Sequence, residues 1–229
     1  IGNVMEWYDF ALYGYFAPIL ARLFFPGEEG VNALLQTYGV FAAGFLMRPL
    51  GAVVFGHIGD RFGRDRALLL SVLAMGLPTF LLGLLPSYAE WGLAAPLLLV
   101  AIRLVQGLSV GGEFSSSVTY VVETAPAGRR GLAGSWANVG SIVGMLAGSG
   151  TAALFAATLD EQALRDWGWR VPFLLGGGLA ALSFQLRRGL GETSAFQAHC
   201  RCHEGDSPLR IALTRNLRET ALGIVFASG

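Results

Sequence analysis

The chain has 229 residues, of which 53% are hydrophobic and only 14% are charged, and 32 of them are glycine. Globular domains carry about 25% charged residues and about 7% glycine, so this composition argues against an ordinary soluble domain. Sixteen basic residues, all of them arginine, balance sixteen acidic residues, which excludes the basic surface typical of nucleic-acid binding. Two cysteines, Cys200 and Cys202, are too few for a disulfide scaffold.

Long stretches with few or no charges follow one another along the chain. A helix crosses the hydrocarbon core of a bilayer with about 17 to 25 apolar residues. We therefore predict an all-α, polytopic membrane protein rather than an apolar soluble bundle. The predicted spans lie near residues 1–25, 33–57, 67–87, 93–122, 131–158 and 169–187. A seventh helix is expected to begin near Glu219 and to be cut off at Gly229.

The distribution of arginine predicts the orientation. Arginines collect after the second, fourth and sixth spans, whereas acidic residues dominate the other loops. Short cytoplasmic loops attract positive residues, so we expect the amino terminus and the arginine-rich loops to face the cytoplasm of a bacterial cell. Localisation in the plasma or inner membrane follows from this expectation.

A polar segment divides the chain. It contains Gly205, Asp206, Ser207 and Pro208, which are typical of a linker. We predict a six-helix unit over 1–187, a cytoplasmic linker over 188–218 and the truncated start of a seventh helix over 219–229. Because the sequence starts without Met and stops within a span, we expect it to be a fragment.

Ionisable residues inside the predicted spans are the main functional signal. Each costs on the order of 2.5 to 3.5 kcal/mol at the centre of a membrane helix, so they should pair in one polar crevice. One hypothesis is that they only hold helices together, and the other is that they line a path for protons and substrate. The five residues are Glu6, Asp9, Arg48, Arg103 and Glu113.

Neighbouring polar residues extend this signal. Tyr13 lies one turn beyond Asp9 on the same face of the first span. Gln106 and Ser117 fall with Arg103 and Glu113 within about 80° of one another around the fourth span. We expect an acid whose arginine partner changes to couple proton entry to transport, with Asp9 and Glu113 near Arg48 as the candidates.

The fifth span has a face of small residues. Gly140, Gly144 and Gly148 recur every four residues, which lets a neighbouring helix approach closely. This face predicts either sliding helices or static close packing. Ser135 and Asn138 lie off that face, and we expect them to line a cavity.

Between the second and third spans lies a charged turn that matches the pattern Gly-x-x-x-Asp-Arg-x-Gly-Arg. It is formed by Gly56, Asp60, Arg61, Gly63 and Arg64. Through this turn the sequence resembles the major facilitator superfamily. The resemblance implies a twelve-helix transporter, of which this chain is the amino-terminal half, and a role for the turn in holding the cytoplasmic side closed. Asp65 departs from the family pattern, which usually has a basic residue there.

More narrowly, the sequence is similar to the metabolite:proton symporter family through residues 2–10, 44–51, 103–113 and 167–173. The resemblance implies proton-coupled symport by alternating access, with a small polar metabolite as substrate and with the missing carboxy-terminal half and the lipid bilayer as partners. Members that carry α-ketoglutarate and members that carry proline or betaine are both similar. We expect an organic acid, with a proline/betaine-type zwitterion as the alternative.

Other chemistry has weaker support in the sequence. Gly107-x-Ser109-x-Gly111 matches a hydrolase motif but lies within a span, so we do not expect an enzyme. Cys200, Cys202 and His203 lack a fourth ligand, so we expect no metal, and no cofactor beyond the proton gradient. A non-transporting six-helix membrane protein that binds a partner is the alternative from another functional class.

Overall fold

The computed structural model describes residues 2–27, 30–126 and 128–188, except for the side chains of 64 and 114–116. Within these ranges the fold is all-α, as predicted, without a strand. The predicted seventh helix, residues 189–218 of the predicted linker and Cys200, Cys202 and His203 lie outside the described residues. The helices are α1 (Gly2–Phe24), α2 (Gly30–Leu46), α3 (Arg48–Phe62), α4 (Arg64–Leu84), α5 (Tyr88–Trp91), α6 (Ala94–Thr124), α7 (Arg130–Thr158), α8 (Glu161–Ala163) and α9 (Arg170–Arg187), with a π-helical turn at Leu164–Gly168 between α8 and α9.

Long helices occupy all six predicted spans. Four helical stretches are long and apolar enough to cross a membrane by length and composition, and they correspond to α2 with α3, α4, α6 and α7. The first and last spans, α1 and α9, are not in that set. The sequence explains part of this difference, because α1 contains Glu6 and Asp9 and α9 begins and ends with arginine.

The second predicted span is two helices rather than one. Helix α2 ends at Leu46, and α3 begins at Arg48 with Pro49 in its first turn. Proline has no N–H to donate and its ring clashes with the carbonyl of the preceding turn, so the helix cannot continue regularly through this point. The break at Met47 places Phe45 and Arg48 on either side of a bend.

Successive spans, of which α2 and α3 together form one, run in opposite directions between two ends of the bundle. One end, here called the Gly63 end, contains the start of α1, the turn between α3 and α4, and the end of α9. Gly63 has φ 115°, a conformation that L side chains rarely adopt, so glycine is required for this reversal. The opposite end, here called the Trp169 end, is a tightly packed aromatic core in which Trp169, Phe24 and Phe173 are fully buried.

The predicted small-residue face of α7 lies against α1. A Cβ atom added at Gly144 would come within 2.2 Å of the carbonyl oxygen of Val4, and one at Gly148 would come within 2.5 Å of that of Tyr8. Gly140 is less crowded, with its nearest neighbour at 3.6 Å. These distances show direct backbone contact between the two helices.

A second glycine contact, between α6 and the bend formed by α2 and α3, is equally close. A Cβ atom at Gly107 would lie 2.0 Å from the carbonyl oxygen of Gly44, and one at Gly111 would lie 1.9 Å from that of Arg48. Only glycine leaves room for this approach. The contact brings Arg48 on α3 close to Arg103 on α6.

Replacing Gly107 by alanine is expected to destabilise the protein. The added methyl group overpacks the contact between α6 and α2, which costs about 1 to 3 kcal/mol. Gly150→Ala is the matched control, because Gly150 lies in α7 with no atom within 4 Å of the added carbon. Alanine there should be neutral or stabilising by up to about 1 kcal/mol through helix propensity. The measurement is the thermal unfolding midpoint in detergent; equal midpoints for the two variants would contradict the close approach.

Candidate functional site

The most deeply buried charges form a cluster around Asp9. Arg103 donates through Nη1 to Asp9 Oδ2 at 2.5 Å, and Gln106 and Thr79 both donate to Asp9 Oδ1 at 3.2 Å. All four side chains are at most 2% exposed. The carboxylate therefore has three donors from two other helices, which compensates its removal from water.

Tyr13 covers this cluster rather than lining either cavity described below. The guanidinium carbon of Arg103 lies 3.8 Å from the centre of the Tyr13 ring, and the Tyr13 hydroxyl donates to the carbonyl oxygen of Thr37 at 2.9 Å. A cation over an aromatic face is stabilised by the ring's electron density. Tyr13 thus orients Arg103 and links α1 to α2.

A second cluster, near the Gly63 end, surrounds Glu113. Arg187 binds this carboxylate with two nitrogens, at 2.5 Å through Nη2 and at 3.1 Å through Nη1. Ser71 donates a short hydrogen bond to it, and Ser117 donates at 3.2 Å. Such bidentate, charge-assisted geometry is the strongest arginine–carboxylate arrangement. Ser117 therefore belongs to this cluster as a hydrogen-bond donor to Glu113.

The third pair, Glu6 and Arg48, is much looser. Arg48 Nη2 and Glu6 Oε1 are 3.5 Å apart, beyond the range of a good hydrogen bond. The Arg48 side chain is 29% exposed, and its guanidinium carbon lies 3.9 Å from the ring centre of Phe45 and 4.9 Å from that of Phe10. In the described ranges, three buried atoms of this pair form no hydrogen bond: Glu6 Oε2, Arg48 Nε and Arg48 Nη2.

The arrangement corrects two sequence-based expectations. Asp9 pairs with Arg103 and Glu113 pairs with Arg187, so neither is the partner of Arg48. The five ionisable residues also do not share one crevice among the described residues: they form parts of three ion pairs between helices. Pairing itself was expected from the cost of charge in a membrane, whereas the identity of each partner depends on which helices are neighbours.

Two cavities lie next to these pairs, and no residue lines both. The smaller, of about 10 Å³, is closed by three phenylalanine rings and reaches Arg48, Arg103 and Gln106. The larger, of about 340 Å³, lies near the Gly63 end and reaches Asn3, Ser117 and Arg187. The smaller cavity has room for about one water molecule.

Other predicted residues lie away from these cavities. Ser135 and Asn138 are exposed on α7, and the Ser135 hydroxyl donates to the carbonyl oxygen of Leu132 in its own helix. Neither lines either of the two cavities, although their neighbour Trp136 lines the larger one. The predicted charged turn is shorter than expected: Gly56, Asp60 and Arg61 lie in the last turns of α3, Gly63 makes the reversal, and Arg64 begins α4.

Three functional candidates were missing from the sequence-based set. Arg187 was assigned to the arginine-rich segment that follows the sixth span, yet it lies on the same face of α9 as buried Ser183 and Ala180. Ser71 and Thr79 lie eight residues apart on one face of α4. Their spacing, which places them on shared faces of their helices, was the signal for them in the sequence.

No group of three or more histidine, cysteine, aspartate or glutamate side chains that could hold a metal ion occurs within the described part of the chain. The polar clusters are instead arginine–carboxylate pairs with hydroxyl and amide neighbours. Such clusters are suited to binding protons and anions.

Comparison with known proteins establishes the family. The family model described as "Sugar (and other) transporter" matches residues 1–216. The chain belongs to this family. It is therefore a member of the major facilitator superfamily, as the charged turn and the spans predicted, and its relatives are membrane transporters.

Several relatives of this chain are named as transporters of small metabolites. It is 41% identical over 207 residues to a proline/betaine transporter of Salmonella typhimurium, which covers 90% of this chain and 41% of the relative. It is 47% identical over 193 residues to an alpha-ketoglutarate permease of Escherichia coli, a match that covers 84% of this chain and 45% of the relative. It is 42% identical over 197 residues to a citrate–proton symporter of Klebsiella pneumoniae, with 86% of this chain and 44% of the relative covered. The chain thus spans less than half the length of these relatives.

Solved structures support the same fold. The xylose transporter XylE of Escherichia coli, in a partially occluded inward-open conformation, matches with a TM-score of 0.76 at 21% identity. The match covers 99% of this chain and 55% of that one. The helices of the six spans in the described residues therefore have the arrangement of half a transporter of this superfamily.

The Glu113–Arg187 pair gives a direct stability test. Arg187→Leu leaves a buried carboxylate without its partner, which is expected to cost about 3 to 5 kcal/mol. The double variant Glu113→Gln with Arg187→Leu should recover much of this loss. The control is Arg165→Leu, because Arg165 pairs with Glu161 where both side chains are well exposed, and such pairs contribute about 0 to 1 kcal/mol. Unfolding in detergent is measured; similar losses for both arginines would contradict the assignment.

Proposed function

We propose that this chain is the amino-terminal half of a proton-coupled secondary transporter that carries a small organic acid by alternating access. Residues 1–187 form the first six-helix half, 188–218 the cytoplasmic linker and 219–229 the start of helix seven, with the amino terminus in the cytoplasm. The names of the relatives support transport of small metabolites, and the shared length supports a second half. Substrate then binds between two halves that rock against each other.

The Glu6–Arg48 pair is the observation that carries the proposal. An acid in a membrane span is the usual proton carrier, and it must be able to lose its counter-ion during the cycle. Among the described residues, Glu6 has one oxygen without a hydrogen bond and a single arginine at 3.5 Å, whereas Asp9 and Glu113 are each held by three partners. Protonation of Glu6 frees Arg48 to bind the carboxylate of a substrate.

Asp9 and Glu113 have a different role in this proposal. Each joins three helices through charge-assisted hydrogen bonds and lies almost completely out of solvent. Breaking such a pair costs several kcal/mol, so neither is expected to open in each transport cycle. They hold α1, α4, α6 and α9 in the arrangement on which the Glu6–Arg48 pair depends.

The aromatic residues favour an organic acid over a quaternary-amine zwitterion. A zwitterion with a quaternary ammonium group is typically bound by an open cage of aromatic faces. Here Phe45 and Phe10 lie against Arg48, and Tyr13 lies against Arg103. The rings already contact cations of the protein, which leaves the arginines as the ligands for an anionic substrate.

The charged turn at the Gly63 end completes the proposed cycle. We assign Asp60, Arg61 and Arg64, with Gly56 and Gly63, to holding the cytoplasmic side closed against the second half. The support is their sequence pattern and their position at one end of the bundle, next to the rigid reversal at Gly63.

Glu6→Gln in the full-length transporter is expected to abolish proton-driven accumulation while substrate exchange continues. Glutamine cannot take up a proton, but it leaves Arg48 free to bind the substrate. Labelled 2-oxoglutarate and citrate are measured in vesicles with an imposed pH gradient and, separately, in exchange without one. Gln36→Glu, an exposed position on α2, is the control for altered charge.

Proton-driven accumulation at the normal rate by Glu6→Gln would contradict the role of Glu6. Vesicles that contain only residues 1–229 form a second control, which should show no uptake until the second half is supplied. Binding of a protein partner without uptake in the full-length protein would instead favour a non-transporting membrane protein.

A further inference from the structure

One edge of the Arg103 guanidinium group has no hydrogen-bond partner among the described residues. Its Nη1 donates to Asp9, whereas Nε and Nη2 form no hydrogen bond within the part of the chain that the structure describes, although the side chain is only 2% exposed. Nε and Nη2 are adjacent and together form one complete edge of the planar group. Such an edge binds a carboxylate through two parallel hydrogen bonds.

Gln106, three residues further along α6, has an unused acceptor. Its Nε2 donates to Asp9 Oδ1 at 3.2 Å and to Thr79 Oγ1 at 2.8 Å, while Oε1 forms no hydrogen bond with any described residue. The opposite orientation of the amide would place its oxygen against the Asp9 carboxylate, which is repulsive. The surroundings therefore fix Oε1 as the atom without a partner.

Both residues line the same small cavity. Unpaired buried polar atoms cost about 1 to 3 kcal/mol each, so two donors and one acceptor on two residues that line one cavity indicate a site for a polar group. The cavity has a volume of about 10 Å³, which is too small for a metabolite in this conformation. Phe45, which is 40% exposed, and Arg48 lie on its outer side next to the bend at Met47.

We propose that Arg103 and Gln106 form a substrate subsite for a carboxylate with a hydrogen-bond donor on the adjacent carbon. The carboxylate binds the Nε–Nη2 edge of Arg103, and the hydroxyl or ammonium group of the substrate donates to Gln106 Oε1. Displacement of Phe45 and Arg48 at the bend opens the subsite. The substrate class is thereby a 2-hydroxy or 2-amino acid, in preference to a 2-oxo acid.

The charges of the site fit this inference, which rests on the proposed function. Glu6, Asp9, Arg48 and Arg103 sum to zero, so a bound carboxylate adds one negative charge. A proton on Glu6 restores neutrality, with Arg48 as the compensating cation. For a 2-hydroxy acid, one proton per substrate carboxylate follows from this balance, whereas the ammonium group of a 2-amino acid already balances its carboxylate.

The test compares pairs of ligands in which one member has a hydrogen-bond donor next to the carboxylate and the other has none. Binding of 2-hydroxyglutarate and 2-oxoglutarate, and of proline and N,N-dimethylproline, is measured with the full-length transporter in detergent. In the pair that binds more tightly, the member with the donor is expected to bind about tenfold tighter, because the other leaves Gln106 Oε1 unpaired. Equal affinities within that pair, or no binding by any of the four ligands, would overturn the subsite.

Two variants test the contributions of Gln106 and Arg103 separately. Gln106→Met should remove the difference within a pair, whereas Gln36→Met, at an exposed position of α2, should keep it. Arg103→Lys retains a positive charge beside Asp9 but lacks the planar edge, so affinity for both members should fall at least tenfold while their ratio remains. A Gln106→Met protein that folds and still discriminates would overturn the role of Gln106.

Uptake distinguishes this inference from the proposed function. Proton-driven uptake without discrimination between the paired ligands would leave the transporter assignment intact and remove the subsite. Discrimination in binding without proton-driven uptake would support the subsite and contradict proton coupling.

Discussion

A charge in a membrane helix needs a partner, and this requirement organises the whole bundle. Three acids inside the described bundle, Glu6, Asp9 and Glu113, each meet an arginine from a different helix. Two of these pairs have additional hydroxyl or amide donors and are buried. The third is long, partly exposed and incompletely hydrogen-bonded. The contrast separates charges that hold the helices together from a pair that can exchange partners.

Close helix packing makes these pairs possible. Side chains of α3 and α6 converge on one cavity because Gly107 and Gly111 bring the backbones into contact at Gly44 and Arg48. Small residues serve this purpose in membranes, where apolar burial provides little force between helices. The bend at Met47 adds a change of direction at the same place. The same short segments therefore determine both the close contact between the backbones and the positions of the polar side chains.

The sequence predicted the helices well because the apolar stretches and the charged turn are local signals. It also identified Glu6, Asp9, Arg48, Arg103 and Glu113 as residues that require partners. It did not predict the pairing, because spacing within one helix does not reveal which helix lies opposite. Arg187 was misplaced since it adjoins a polar segment, although its face continues the buried face of α9. The break in the second span follows from Pro49, whose effect a hydropathy pattern does not register.

The position of Arg187 has a practical consequence for dissecting the molecule. It is the last residue of α9, and it binds the buried Glu113 near the Gly63 end and the carbonyl oxygen of Leu68. Any scheme that produces the two halves as separate polypeptides must therefore leave this arginine on the first piece. A cut even two residues earlier would leave the Glu113 carboxylate without Arg187. Failure of the two pieces to reassociate would then result from the choice of boundary rather than from the absence of the covalent connection.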